Sequence, residues 1–174
     1  MAYDGPRSTL LLGGARSGKS SRALALAEES SLSPIFVATA TAGDQEMAER
    51  IARHRQERSH RWRTIEEPLR LVETLGSVSS EGRVVVVDCL TFWLANLMFA
   101  ERPWEPEVAR LADCATRSAG PVMFVANEVG WGIVPDTPLG RQFRDAQGSL
   151  NQSMAAACDR VELVVAGLSL RLKG

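Results

Sequence analysis

The feature that most constrains this chain is a complete match to the pattern G-x-x-x-x-G-K-[ST] near its start. The match follows an apolar run at 10–12 and leads into an alanine- and leucine-rich stretch that favours a helix. Strand, glycine loop and helix in this order place backbone N–H groups and a helix N-terminus around phosphate oxygens. The sequence therefore predicts a nucleoside triphosphate site built from Gly13, Gly14, Ala15, Arg16, Ser17, Gly18, Lys19 and Ser20.

Two side chains of this loop and one later carboxylate have predicted roles. We expect Lys19, the predicted catalytic lysine, to reach the β- and γ-phosphates and the Ser20 hydroxyl to bind Mg²⁺. The apolar run 84–87 ends at Asp88, which is typical of a strand whose carboxylate lies beside the glycine loop and binds the same metal. Asp88 is alternatively a cap for the following helix, but behind a phosphate loop the metal role is favoured.

The order of apolar segments predicts an α/β fold. We expect strands near 9–13, 34–39, 83–88, 121–126, 160–166 and 168–172, and helices near 18–30, 44–58, 67–77, 90–100, 104–118 and 138–158. This alternation favours a mostly parallel sheet with helices on both faces. The last strand follows Ala166 and Gly167 so closely that it should form an antiparallel edge hairpin. The last helix is expected to bury Leu139, Phe143, Ala146, Leu150 and Ala157.

Length and composition limit the classes of protein. A chain of 174 residues suits a single domain, 1–174, with 1–8 expected to be a flexible N-terminal extension. The net charge of -1 gives no indication of nucleic acid as a partner, and the apolar runs are too short for a membrane span. Three widely spaced cysteines favour reduced thiols and a cytoplasmic location.

An arginine-rich segment, 50–63, has two open interpretations. It contains both histidines of the chain, His54 and His60. In one interpretation it is a solvated basic helix with a half-buried histidine. In the other, its guanidinium groups stabilise an anionic transition state and His54 is a neutral nucleophile, because neighbouring positive charge lowers its pKa.

The glycine-rich stretch 126–135 follows the strand predicted at 121–126. A loop at this end of a strand is a common ligand site in α/β proteins. Asn127 and Glu128 are candidates for contact with substrate or metal, and turn chemistry explains them equally well. Trp131 between two glycines suits a large flat ligand, or it packs within the protein.

Taken together, these motifs resemble the bifunctional adenosylcobinamide kinase/adenosylcobinamide-phosphate guanylyltransferase family of cobalamin biosynthesis. The similarity extends over nearly the whole chain in the family's order, at 13–20, 37–40, 46–47, 50–51, 54–55, 58, 62–66, 87–91, 96–97, 127–130, 132–135, 144–145, 148 and 151–152. It implies a RecA-like P-loop NTPase fold and a homotrimer.

The resemblance also implies two reactions. ATP or GTP phosphorylates adenosylcobinamide, and GTP then gives its GMP group, through a guanylyl-histidine, to adenosylcobinamide phosphate, yielding adenosyl-GDP-cobinamide and pyrophosphate. By position, the histidine is His54. Some relatives have two histidines where this chain has Arg53 and His54. Further implied nucleotide contacts are Ala38, Thr39, Ala40, Arg55, Gln56, Glu57, Arg58, Glu66 and Asp88.

Three other functions are less consistent with the sequence. A GTP-binding switch would need an N/T-K-x-D pattern, and the only lysines are Lys19 and Lys173. A stand-alone small-molecule kinase would give no covalent nucleotide adduct. A DNA-dependent ATPase is disfavoured by the near-neutral charge.

Overall fold

Seven strands of one sheet and five helices make up the computed structural model, which describes residues 3–41 and 60–174. The strands are β1 (Ser8–Gly13), β2 (Ser33–Ala38), β3 (Arg63–Glu66), β4 (Arg83–Asp88), β5 (Val122–Asn127), β6 (Arg160–Val165) and β7 (Leu168–Lys173). The helices are α1 (Lys19–Glu29), α2 (Leu71–Val78), α3 (Leu90–Phe99), α4 (Trp104–Arg117) and α5 (Pro138–Ala157).

The strand order is β3-β2-β4-β5-β1-β6-β7, with every neighbouring pair parallel except β6 and β7. The predicted parallel sheet with a C-terminal antiparallel hairpin is therefore confirmed. Because parallel strands point the same way, the ends of β1 to β5 meet along one side of the sheet, which we call the carboxyl edge. In register along it, Ala38 pairs with both Glu66 and Asp88, and Gly13 pairs with Asn127.

Helices cover both faces of the sheet, as predicted, because the strand side chains alternate between two cores. Val85 and Val87 belong to a large cluster that includes residues of α2 to α5. Val84 and Val86 belong to a smaller cluster with Ala23 of α1. All four valines are fully buried, which explains why β4 is an uninterrupted apolar run.

The structure differs from the sequence predictions in two elements, β3 and α2. The strand β3 was not predicted, because its four residues include two that are exposed and it carries no apolar run. The helix expected at 67–77 begins only at Leu71, since the Glu67 carboxylate accepts hydrogen bonds from the backbone N–H groups of Leu69 and Arg70.

The apolar face of α5 also differs from the prediction at its ends. Leu139 is more than half exposed, whereas Met154 is fully buried beside Leu150. The helix predicted at 44–58 lies outside the described residues. In the two described stretches, no helix is long and apolar enough to cross a membrane.

A buried ion pair fastens α1 to β6. The Glu162 carboxylate, 2% exposed, accepts hydrogen bonds from Arg22 at 3.0 and 3.3 Å and forms an ion pair with Arg160 at 3.1 Å. Burial alone would raise the pKa of the Glu162 carboxyl, but the two guanidinium groups outweigh burial and the net pKa lies below its ordinary value of 4.5. Arg22 lies one turn after Lys19, so this pair anchors the start of α1.

Replacing Glu162 with glutamine should lower the free energy of unfolding at pH 7 by about 1–3 kcal/mol, because two guanidinium groups lose their counter-charge. The carboxylate stabilises the fold fully above pH 4.5, and this contribution is lost as the pH falls through its lower folded-state pKa. Urea unfolding of both proteins should therefore show a difference that shrinks below pH 4.5. The exposed Glu81 provides a control, and an E162Q curve matching that of E81Q at pH 7 would contradict the assignment.

Candidate functional site

The predicted phosphate loop lies at the carboxyl edge, between the end of β1 and the start of α1. Gly18, the residue before the helix, has φ of 98°, and Arg16 has φ of 55°. This backbone shape favours glycine at position 18. A side chain on Gly13 would collide with the Val164 carbonyl oxygen and with Ser17. The local sequence therefore folds into a tight loop whose glycines are sterically required at both ends.

The polar groups of this loop fit a phosphate ligand. Lys19 is buried, and its Nζ donates to the Gly14 carbonyl oxygen at 2.8 Å, so the ammonium lies over the loop. The Ser17 hydroxyl is also buried and has no hydrogen-bond partner among the described residues. The ammonium at the loop is a charged donor of the kind that a phosphate ligand requires.

Asp88 ends β4 at the same edge, but it does not lie directly beside the loop as predicted. Strand β5 lies between β4 and β1, so one strand separates Asp88 from Gly13. Burial raises the pKa of the neighbouring Cys89 thiol to about 11, Asp88 adds to the rise, and the Lys19 ammonium opposes it. The charge of Lys19 is thus felt at Cys89, next to the end of β4.

Thr39, a predicted nucleotide contact, uses its side chain within the protein. Its hydroxyl donates to the Cys89 carbonyl oxygen at 2.6 Å and accepts from the Cys89 N–H at 2.9 Å, and its backbone N–H donates to the Asp88 carbonyl oxygen at 3.2 Å. Thr39 is fully buried, whereas Ala38 and Ala40 on either side are partly exposed. These three bonds, which we call the Thr39 latch, fix the backbone around Asp88.

Asn96 is a residue of the edge to which the sequence assigned no role. Its side-chain amide donates to the carbonyl oxygens of Thr39 and Pro68, at 2.8 and 3.1 Å, and thereby joins the loops that follow β2 and β3. Glu66, another predicted contact, is exposed at the end of β3. Two sequence signals pointed to Asn96: it is a polar amide inside the apolar α3, and positions 96–97 belong to the family resemblance, which gave them no role.

The loop after β5 is attached to the phosphate loop and carries exposed apolar side chains. The Glu128 N–H donates to the Gly13 carbonyl oxygen at 3.0 Å, and the Glu128 carboxylate accepts from the Gly130 N–H at 2.9 Å, which is the turn chemistry considered above. Trp131 is 75% and Ile133 97% exposed. Arg141 donates to two carbonyl oxygens at the end of the loop.

Buried side chains support β5 beneath this loop. The Asn127 N–H donates to the Thr91 hydroxyl at 2.8 Å, and the Asn127 carbonyl oxygen accepts from Asn151 at 3.1 Å. Gln147, which is fully buried, donates to Asn151 at 2.8 Å. Thr91, near the start of α3, therefore holds the backbone at the end of β5.

The remaining predicted site residues lie outside the described residues: His54, Arg55, Gln56, Glu57 and Arg58. The described chain stops at Thr41, three residues after Ala38 at the end of β2, and resumes at the exposed His60.

Comparison with known proteins agrees with this geometry. A family model described as cobinamide kinase / cobinamide phosphate guanyltransferase matches residues 9–172. The bifunctional adenosylcobalamin biosynthesis protein CobP of Pseudomonas aeruginosa is 48% identical over 167 residues, which cover 95% of this chain and 96% of that protein. The corresponding CobU of Escherichia coli is 39% identical over 94% of this chain and 98% of that protein.

A solved structure shows the same fold at much lower sequence identity. It is an ATPase from the type III secretion system of pathogenic bacteria, with a TM-score of 0.56 and 10% identity. The alignment covers 95% of this chain but 56% of the ATPase, so the likeness concerns the fold alone. Together with the phosphate loop, it confirms the predicted P-loop NTPase class. On the family model and the two bacterial relatives, the chain belongs to the cobinamide kinase / cobinamide phosphate guanyltransferase family.

Proposed function

We propose that this protein phosphorylates adenosylcobinamide with ATP or GTP and then transfers GMP from GTP to the phosphorylated product, through a covalent intermediate on His54. The observation that carries the proposal is the phosphate loop: it contains Lys19 and lies at the same edge of the sheet as Asp88. This arrangement occurs in a chain that belongs to the cobinamide kinase / cobinamide phosphate guanyltransferase family. The resemblance further implies a homotrimer, and the three widely spaced cysteines favour a cytoplasmic location; both stay predictions.

In the kinase reaction, the acceptor hydroxyl oxygen of the cobinamide attacks the γ-phosphorus. The bond from the γ-phosphorus to the oxygen that bridges the β- and γ-phosphorus atoms breaks, and the nucleoside diphosphate keeps the electron pair. The hydroxyl proton passes to solvent or a nearby base. The loop N–H groups and Lys19 would stabilise the charge on the transferring group and on the leaving oxygen.

Mg²⁺ is the metal that this site would use. A triphosphate site of this kind needs few protein ligands, because phosphate oxygens and water complete the coordination shell. That requirement agrees with Ser20 and Asp88 as the protein ligands. When bound, the ion would neutralise charge on the phosphates. Ser20 and Asp88 would hold it at the mouth of the loop.

Replacing Thr39 with valine tests whether the latch positions Asp88. The valine has nearly the same shape but leaves the buried Cys89 N–H without its partner, while the Cys89 carbonyl oxygen keeps the Trp93 N–H at 3.2 Å; the loss should cost about 1–3 kcal/mol of stability. We also expect weaker binding of GTP in the presence of Mg²⁺, measured by calorimetry at a temperature where the variant is folded. Thr39→Ser retains the hydroxyl and should bind normally. A valine variant that binds Mg²⁺·GTP as tightly as the wild type would contradict the positioning role.

In the transferase reaction, an imidazole nitrogen of His54 attacks the α-phosphorus of GTP. Its lone pair forms the P–N bond, and the bond from the α-phosphorus to the oxygen that bridges the α- and β-phosphorus atoms breaks. Pyrophosphate leaves with the electron pair. A phosphate oxygen of the cobinamide phosphate then attacks the same phosphorus and displaces the imidazole. The assignment of His54 rests on the arginine-rich sequence and the family resemblance.

His54→Ala should abolish covalent labelling of the protein by α-labelled GTP, because the nucleophile is lost. Kinase activity should be retained in part, since the phosphate loop is intact. Mass spectrometry of the wild type after mixing with GTP and Mg²⁺ should show one added GMP, labile to acid. His60→Ala is the matched control and should be labelled normally. Label that persists in the His54 variant would exclude this residue as the nucleophile.

The corrinoid acceptor requires a surface close to the phosphate loop. The loop from Glu128 to Pro135 is bonded to Gly13 and presents Trp131 and Ile133 to solvent. An indole beside glycines can stack on a large flat ring system. We therefore place the corrin ring against this loop.

Trp131→Ala should raise the KM for adenosylcobinamide about 10-fold, which corresponds to about 1.4 kcal/mol of lost contact. The KM for GTP should change little, because the phosphate loop is untouched. Phe99→Ala removes another exposed aromatic side chain, at the end of α3, and should leave both constants unchanged. An unaltered KM for adenosylcobinamide in the Trp131 variant would place the ring elsewhere.

A further inference from the structure

We propose that the Ala166–Gly167 turn of the β6–β7 hairpin is a positioning element for the phosphate loop, and that it orients the Gly18 N–H toward the triphosphate. The inference rests on the proposed function in one respect, namely that this loop binds a nucleoside triphosphate. It adds a part of the chain, near residue 167, that the phosphate-loop pattern does not include.

The turn contacts the loop directly. The Gly167 N–H donates to the Ser17 carbonyl oxygen at 2.8 Å. A Cβ on Gly18 would lie 3.2 Å from the Gly167 Cα, so the two backbones pack with no room for a side chain between them. The Val164 carbonyl oxygen lies against Gly13 at the other end of the loop.

The direction of this hydrogen bond matters for phosphate binding. Ser17 C=O and Gly18 N–H belong to one planar trans peptide unit, in which the two groups point in opposite directions. A bond that draws the Ser17 oxygen toward the hairpin therefore turns the Gly18 N–H away from it. An unheld Ser17 carbonyl could rotate toward the phosphates, where its negative end would repel them.

The turn itself is held in one conformation. Ala166 and Gly167 have φ of 51° and 80°, the two positive values expected of a two-residue hairpin turn of type I′. Val165 and Leu168 pair across it, and β6 is paired with β1 on its other side. The Gly167 N–H is thus fixed relative to β1, the strand from which the loop departs.

An ester in place of the Gly167 amide would remove this single donor and keep every side chain. The native Cys158 allows ligation of residues 1–157 to a synthetic peptide of residues 158–174 without any sequence change. A second protein with the ester at Ser169 is the matched control. Along an antiparallel edge strand, the backbone N–H groups point alternately toward the neighbouring strand and away from it. The Ser169 N–H is one of those that point away from β6. The all-amide ligation product is the reference.

We expect the Gly167 ester to weaken GTP binding by about 3- to 10-fold, as for the loss of one backbone hydrogen bond. The loss should be smaller for GMP, which lacks the β- and γ-phosphates. The Ser169 ester should bind GTP like the reference. Urea unfolding of each protein separates lost affinity from lost stability, because a purely structural turn would change the unfolding midpoint and leave the GTP:GMP affinity ratio unaltered. That result would overturn the inference.

Genetic variants provide a second test if the ester protein does not refold. Gly167→Asn tolerates positive φ and should retain GTP binding, whereas Gly167→Val should lose affinity because a β-branched residue strongly disfavours φ near 80°. Equal GTP affinity in both variants would overturn the inference. Failure of the all-amide protein to bind GTP at all would instead count against the proposed function.

Discussion

The site depends on how the backbone of the phosphate loop is held from outside. A loop that presents N–H groups to an anion must direct its carbonyl groups elsewhere, and each of those carbonyls needs a donor. Two donors come from the strands that flank β1. Glu128, after β5, donates to Gly13, and Gly167, after β6, donates to Ser17. The loop conformation is therefore a property of three neighbouring strands.

The same principle applies on the other half of the carboxyl edge. There the Thr39 latch satisfies both backbone groups of Cys89, and Asn96 satisfies the Thr39 and Pro68 carbonyls. Buried side chains thus hold the backbone around Asp88 in place, just as backbone N–H donors hold the phosphate loop. Few of these polar atoms are left to solvent, so the edge is preorganised before a ligand arrives.

Much of this could be predicted from sequence because the signals are local. The phosphate loop is a contiguous pattern, and β4 is an uninterrupted valine run ending in Asp88, so both were placed correctly. The position of β5 between β1 and β4 depends on strand order, which no local pattern encodes. The bonds of Gly167 to Ser17 and of Thr39 to Cys89 join residues 150 and 50 positions apart, and a glycine or threonine gives no sequence sign of such a partner. The short β3 has too few apolar residues to be recognised.

Cys89 shows what the preorganised edge implies for chemical durability. With a pKa raised to about 11, its thiol stays protonated at neutral pH. Only the thiolate reacts readily with oxidants and alkylating reagents, and this sulfur is also buried. A cysteine can therefore adjoin the proposed metal carboxylate without exposing the enzyme to inactivation by peroxide or disulfide exchange.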